Sequence, residues 1–257
     1  MAPNWLFYLA VISLVLAFVT AIIIISDVIR HPQKMAVMNW VWPITALYFG
    51  PLALWMYLVA RRDFGDAHSG HNPIQDRTTQ QGTERSTHQN QQSAHMAMLG
   101  SQSSHAGSDG MTWQTIMKAA THCGAACTLG DIIGEWLVFA LGLTIAGSAL
   151  WPEYILDFAL AYVLGIAFQY FAIVPMKQLS FSQGIWAAIK ADTLTLITFE
   201  IGLFGWMALS YFVLFHPHLE PTNPIQWFMM QLGMIIGFFT SIPANYFLLK
   251  YGIKEAM

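Results

Sequence analysis

The chain has 257 residues, of which 56% are hydrophobic and only 10% charged. A soluble domain carries roughly 25% charged residues, so this composition excludes an ordinary water-soluble fold. The formal net charge of −3 comes with no basic patch interleaved with aromatics, which gives no footing for nucleic-acid binding.

Spanning a bilayer as a helix takes about 20 mostly apolar residues. Six segments qualify in chain order: 5–26, 38–60, 113–147, 154–174, 184–215 and 225–249. The sequence therefore predicts an all-α polytopic membrane protein with about six transmembrane helices. The first segment, MAPNWLFYLAVISLVLAFVTAIIIISDV, has no basic start and no small-residue cleavage site. It also exceeds the roughly 7–15 residues of a signal-peptide core, so it reads as a retained helix. With the second segment it forms a helical hairpin over 1–62. Pro43 and Pro51 interrupt that second helix, either as a packing kink or as an opening into a cavity.

Residues 63–111 differ in kind. They are rich in Gln, Ser, His and Gly, with no aromatic between Phe64 and Trp113. Such a stretch buries too little apolar surface to offset its ordering entropy and reads as a flexible linker. It holds His68, His71, His88, His95 and His105, either weak metal ligands or incidental polar residues. Residues 112–257 form a four-helix domain.

Orientation follows from Lys and Arg. With six crossings and the N-terminus in the cytoplasm, nine basic residues fall inside and two, Arg30 and Lys34, outside. This predicts cytoplasmic N- and C-termini, a cytoplasmic linker, and residence in the cell inner (plasma) membrane. In that setting Cys123 and Cys127 lie near the cytoplasmic face, reduced and too constrained to bridge within one helical turn.

The segment THCGAACTLGDIIGEWLVFALGL (121–143) carries the unusual chemistry. At 100° per residue, Cys123 and Cys127 share a face with Gly130 and Gly134, and Asp131 and Glu135 continue it as a drifting stripe. Glu135 lies about 18 Å deeper than Cys123, which the sequence places near mid-bilayer. Two Cys at i, i+4 can chelate a soft ion such as copper or zinc, or can simply be small buried residues. His122 points about 140° away from Cys127. It joins a Cys123–Cys127–His122 metal set only if the helix starts irregularly, and otherwise lies at the interface.

A charged residue at mid-bilayer costs at least about 2.5–3.5 kcal/mol, so Asp131 and Glu135 are candidates for an ion or proton path. The fifth segment adds Asp192 and Glu200. The simplest expectation is that Glu135 and Glu200 face each other or share a polar cavity; for Asp131 and Glu135, Lys190 is the nearest basic partner by type, though it belongs to the cytoplasmic end. Asp157, Gln169, Gln231 and Asn245 either line the same cavity or, the simpler reading, make packing hydrogen bonds, and Met229, Met230 and Met234 are either soft ligands or, the simpler reading, core. No Walker loop, dinucleotide fingerprint, CxxCH or HExxH is present, and no nucleophile–base pair suggests an intramembrane hydrolase.

The segments THCGAACTLGDIIGEW, FQYFAIVPMKQLS, AIKADTLTLITFEIGLFGWMAL and WFMMQLGMIIGFFTSIPANYFLLKYGIKEAM together resemble a bacterial membrane family, domain of unknown function 4396. MNWVWPITALYFGPLALW resembles the segment that precedes this domain in its members. The resemblance implies an all-helical integral membrane fold and carries over no activity or catalytic residue. Three functional readings stay open: a binder or transporter of a soft metal ion using the Cys and carboxylate residues, a thiol-based membrane redox module, and a non-enzymatic scaffold or accessory subunit.

Overall fold

The computed structural model describes residues 3–33, 35–69, 113–215 and 219–254, without the side chains of 62–69 and Met176. Apart from its first residues, the expected linker, with His71, His88, His95 and His105, lies outside the described residues, as do His216, Pro217 and His218. The described chain is helical: α1 (Asn4–Arg30), α2 (Met38–Phe49), α3 (Pro51–Ser69), α4 (Trp113–Leu141), α5 (Leu150–Lys177), α6 (Phe181–Leu209) and α7 (Pro224–Lys250). A turn of π-helix, Ser210–Leu214, extends α6. Five of these helices are long and apolar enough to cross a membrane: α1, α4, α5, α6 with its extension, and α7. Their outward faces carry large apolar side chains such as Trp5, Ile22, Phe171 and Ile201, the surface that lipid covers.

The second expected crossing is not one helix. Gly50, with φ 55° and ψ −133°, separates α2 from α3, a conformation open to glycine and costly for residues with a Cβ. Pro51 then opens α3, where its missing N–H is harmless. The chain reverses here. Trp42 and Tyr57 meet edge to face with ring centroids 5.6 Å apart. Farther along α3, Arg61 reaches Asp27 near the end of α1 at 2.5 Å, and the Tyr57 hydroxyl donates to the same carboxyl oxygen at 2.5 Å. The two helices form a re-entrant hairpin. The twelve residues of α2 rise about 18 Å, which reaches just past the middle of a hydrocarbon core about 30 Å thick. Non-helical backbone at that depth is tolerated only where protein buries it. Here Gln231 of α7 donates to the carbonyl of Leu47 at 2.7 Å, and Phe49 packs on Phe238.

Small residues set the packing of the remaining helices, as expected where lipid tails compete for apolar contacts. On α4 and α5 the close approaches are Gly130 to Ala161, Gly134 to Asp157, and Ala126 to Gly165. Each pair sits one turn from the next in an antiparallel register. The same register sets His122 opposite Gln169. On α6 and α7, Gly202 lies against Gly237, and Gly233 against Leu203.

These contacts fix the two ends of the bundle. α1 ends, α3 ends and α4 begins at one end, where Trp42, Ala60 and Trp113 line a common recess. α1 begins at the other end, since Ser13 donates to Gln231 in the first half of α7. The N-terminus and the end of α7 therefore lie at opposite ends, not at the same end as six crossings require. Arg30, Arg61, Arg62, Lys118, Lys177, Lys190, Lys250 and Lys254, all the described Lys and Arg, belong to one half, called here the basic end.

Candidate functional site

The polar residues of α4 enter the structure in two layers. α4 spans 113–141, so its midpoint is Cys127. Both cysteines are free and fully buried at that depth, rather than near a membrane face. Glu135 lies about 12 Å past the midpoint, toward the far end, not at mid-bilayer.

The far-half layer is acidic. α4 supplies Asp131 and Glu135, α5 supplies Glu153 and Asp157, and α6 supplies Glu200, each 5% exposed or less. Glu153 and Asp157 are one turn apart on α5, and Gly134 lets the Asp157 carboxyl lie directly against the α4 backbone. Asp131 is within electrostatic reach of Glu200, Asp157 and Glu135, and Asp157 of Glu135, Glu200 and Glu153. The groups form a row: Glu153 and Glu135, then Asp157 and Asp131, then Glu200. Gln226 donates to Glu135 Oε1 at 3.3 Å. Glu135 Oε2, Asp157 Oδ1 and all four carboxyl oxygens of Asp131 and Glu200 are buried without a hydrogen-bond partner. At its far end the row opens into a narrow cleft lined by Glu135, Glu153, Tyr154, Asp157, Ser210 and Gln226, with room for about one water molecule.

Glu135 and Glu200, expected to share one polar cavity, both belong to this row. Glu135 lines the cleft, Glu200 lies deeper beside the Cys127 thiol, and Asp131 and Asp157 connect them. Cys123 and Cys127 are neighbours, and Tyr48 from the tip of the re-entrant hairpin reaches the same place, with its hydroxyl beside Gly124. A side chain at position 124 would collide with that ring.

The second layer lies in the basic half. His122 is fully buried, packs edge to face on Phe168 at 6.0 Å, and lies within electrostatic reach of Asp192 and Lys254. It does not join the thiols. Among the described residues no three His, Cys, Asp or Glu side chains gather as a metal-holding group. Asp192 is paired with Lys254 at 3.2 Å, both buried. Thr195 also donates to Asp192 Oδ1 at 3.0 Å. Of the weaker polar candidates, Asp157 belongs to the acid row and Gln169 to the His122 layer. Met234 behaves as core and accepts from Thr128 at 3.6 Å.

Two participants were not singled out from sequence. Glu153 has a legible signal, since it stands four residues before Asp157 on one helix face. Lys254 has a fainter one, a Gly two residues earlier just past the end of an apolar run.

No curated protein matches the chain, and no solved structure does. A family model described as a domain of unknown function (DUF4396) matches residues 112–254, which hold α4 to α7 and with them both polar layers. That match covers more than half of the sequence, and the chain belongs to the DUF4396 family.

Proposed function

We propose that the protein conducts protons and that the buried row Glu135, Asp157, Asp131 and Glu200 is the part of the path between the cleft and the middle of the bundle. The observation that carries this reading is the set of carboxyl oxygens from three helices that are buried, mutually close and without protein hydrogen-bond partners. Carboxyls buried within electrostatic reach of one another in a low-dielectric medium can share protons, which suits a relay. Burying them for packing alone is expensive.

In this reading the basic end faces the cytoplasm of the cell inner membrane, with the segment between α3 and α4 on the same side. The N-terminus and the acidic cleft face the opposite side. Protons enter at the cleft and pass inward to Glu200.

The test is proton flux in reconstituted vesicles, with a pH-sensitive dye inside and an imposed potential. The wild-type protein carries flux. Asp131→Asn and Glu200→Gln each reduce it at least tenfold, and Asp131→Glu retains part of it. Equal flux in all of these, or none above protein-free vesicles, overturns the proposal and leaves a scaffold role.

A second reading is favoured by one contact: the Cys127 thiol lies beside Glu200 at the inner end of the row. A soft copper or zinc ion held by Cys123 and Cys127 is then the cargo that the protons drive. Near-stoichiometric metal in purified protein that is lost in the Cys123→Ser/Cys127→Ser variant supports this. No metal uptake from Cu(I) or Zn(II) removes it and leaves the proton path standing.

A further inference from the structure

α7 ends in a hydrogen-bonded reversal. Gly252 has φ +65° and donates to the carbonyl of Leu249, and Ile253 donates to that of Leu248. This is the pairing that closes a helix when a glycine adopts the left-handed conformation. The reversal sends Lys254 back into the bundle instead of into water. Its side chain is fully buried, and Nζ donates to Asp192 Oδ1 at 3.2 Å and to Asn245 Oδ1 at 3.1 Å.

A lysine ammonium is a compact point charge. Held by a carboxylate oxygen and an amide oxygen in a fully buried setting, it takes two oxygen contacts that a bare cation could take instead. Asp192 Oδ2 is buried without a partner, as are both amide atoms of Gln169 and both ring nitrogens of His122. Asp192 Oδ2 faces Gly165, and Gln169 stands one turn from Gly165 on the same helix, opposite His122. Asp192 therefore keeps a second carboxylate oxygen that the ammonium does not use.

We propose that Asp192 and Asn245 form a monovalent-cation site and that Lys254 is a tethered cation which fills it and closes the basic end of the bundle. Charge sets the class of ligand. The oxygens at the site bring one negative charge, so Na⁺ or K⁺ replaces the ammonium with no net change, whereas a divalent ion leaves an excess positive charge. This inference does not rest on the proton path.

The test is the thermal stability of detergent-solubilised full-length protein in NaCl, KCl or choline chloride at equal ionic strength. Wild type shows the same Tm in all three, because the site is filled. Lys254→Gln gains roughly 5 °C or more in NaCl or KCl over choline, since a ligand that binds only the native state stabilises it. Asp192→Asn/Lys254→Gln shows no such gain. If Lys254→Gln fails to fold in choline, its folded yield becomes the readout, and Na⁺ or K⁺ restores it. A Lys254→Gln protein that neither shifts nor recovers with either ion overturns the proposal, as does a double variant that shifts equally. The readout needs no transport, so it stands or falls separately from proton flux.

Discussion

Trp42 and Tyr57 are fifteen positions apart, yet their rings meet edge to face at 5.6 Å across the turn at Gly50. In a continuous helix those positions lie about 22 Å apart along the axis. This one contact turns a sixth crossing into a re-entrant hairpin. It also moves Arg30 to the same end of the bundle as every other described basic residue. A chain with odd crossings and all its described positive charge at one end satisfies the positive-inside bias better than the even arrangement does.

The start of α1 and the end of α7 lie at opposite ends of the bundle, which predicts that the two ends of the chain fall on opposite sides of a membrane. A reporter active only outside the cytoplasm works when fused before residue 1 and fails after residue 257. Signals of the same kind at both ends restore the six-crossing arrangement.

Gly50 is predicted to resist substitution for a backbone reason alone. No atom stands within 4 Å of a Cβ added there, so Gly50→Ala meets no collision. Its φ of 55° with ψ of −133° still costs about 1–3 kcal/mol for a residue with a side chain. A lowered Tm is expected, with the helix content of the rest unchanged by circular dichroism. Stability equal to wild type argues that the turn adopts another conformation.

Gly134 behaves differently. Its φ is ordinary, but an added Cβ overlaps the Asp157 carboxyl. Gly134→Ala forces α4 and α5 apart or swings Asp157 out of the acid row. The cost is about 1–3 kcal/mol, as for other overpacked cores. Gly205→Ala, on α6 with open space around it, is the control and leaves Tm unchanged. Equal effects at the two positions contradict the packing register.

The thiols sit at the middle of the bundle and are fully buried. Cys123 and Cys127 are expected to label with a polar maleimide at least tenfold more slowly in folded protein than after denaturation in SDS. Rapid native labelling, at a rate near that of the denatured chain, contradicts the burial.

The sequence by itself determined the all-helical membrane class, the existence of α1 and of α4 to α7, the family, and most of the unusual polar residues. These are local properties: an apolar run of sufficient length and a charge where lipid expels charge. The angular reading of α4 also separated His122 from the thiols, because helix geometry depends only on spacing. The tertiary structure decided what each polar residue meets. A 23-residue apolar segment such as 38–60 satisfies the length rule whether it crosses or doubles back, and the choice rests on α1, α4 and α7 burying the tip. The partner of Asp192 depends on a left-handed glycine that returns Lys254 from the end of the chain. The joining of Glu135 to Glu200 through Asp131 and Asp157 depends on a register set by Gly130 and Gly134. Contacts between helices distant in sequence arise from close packing, and no local spacing encodes them.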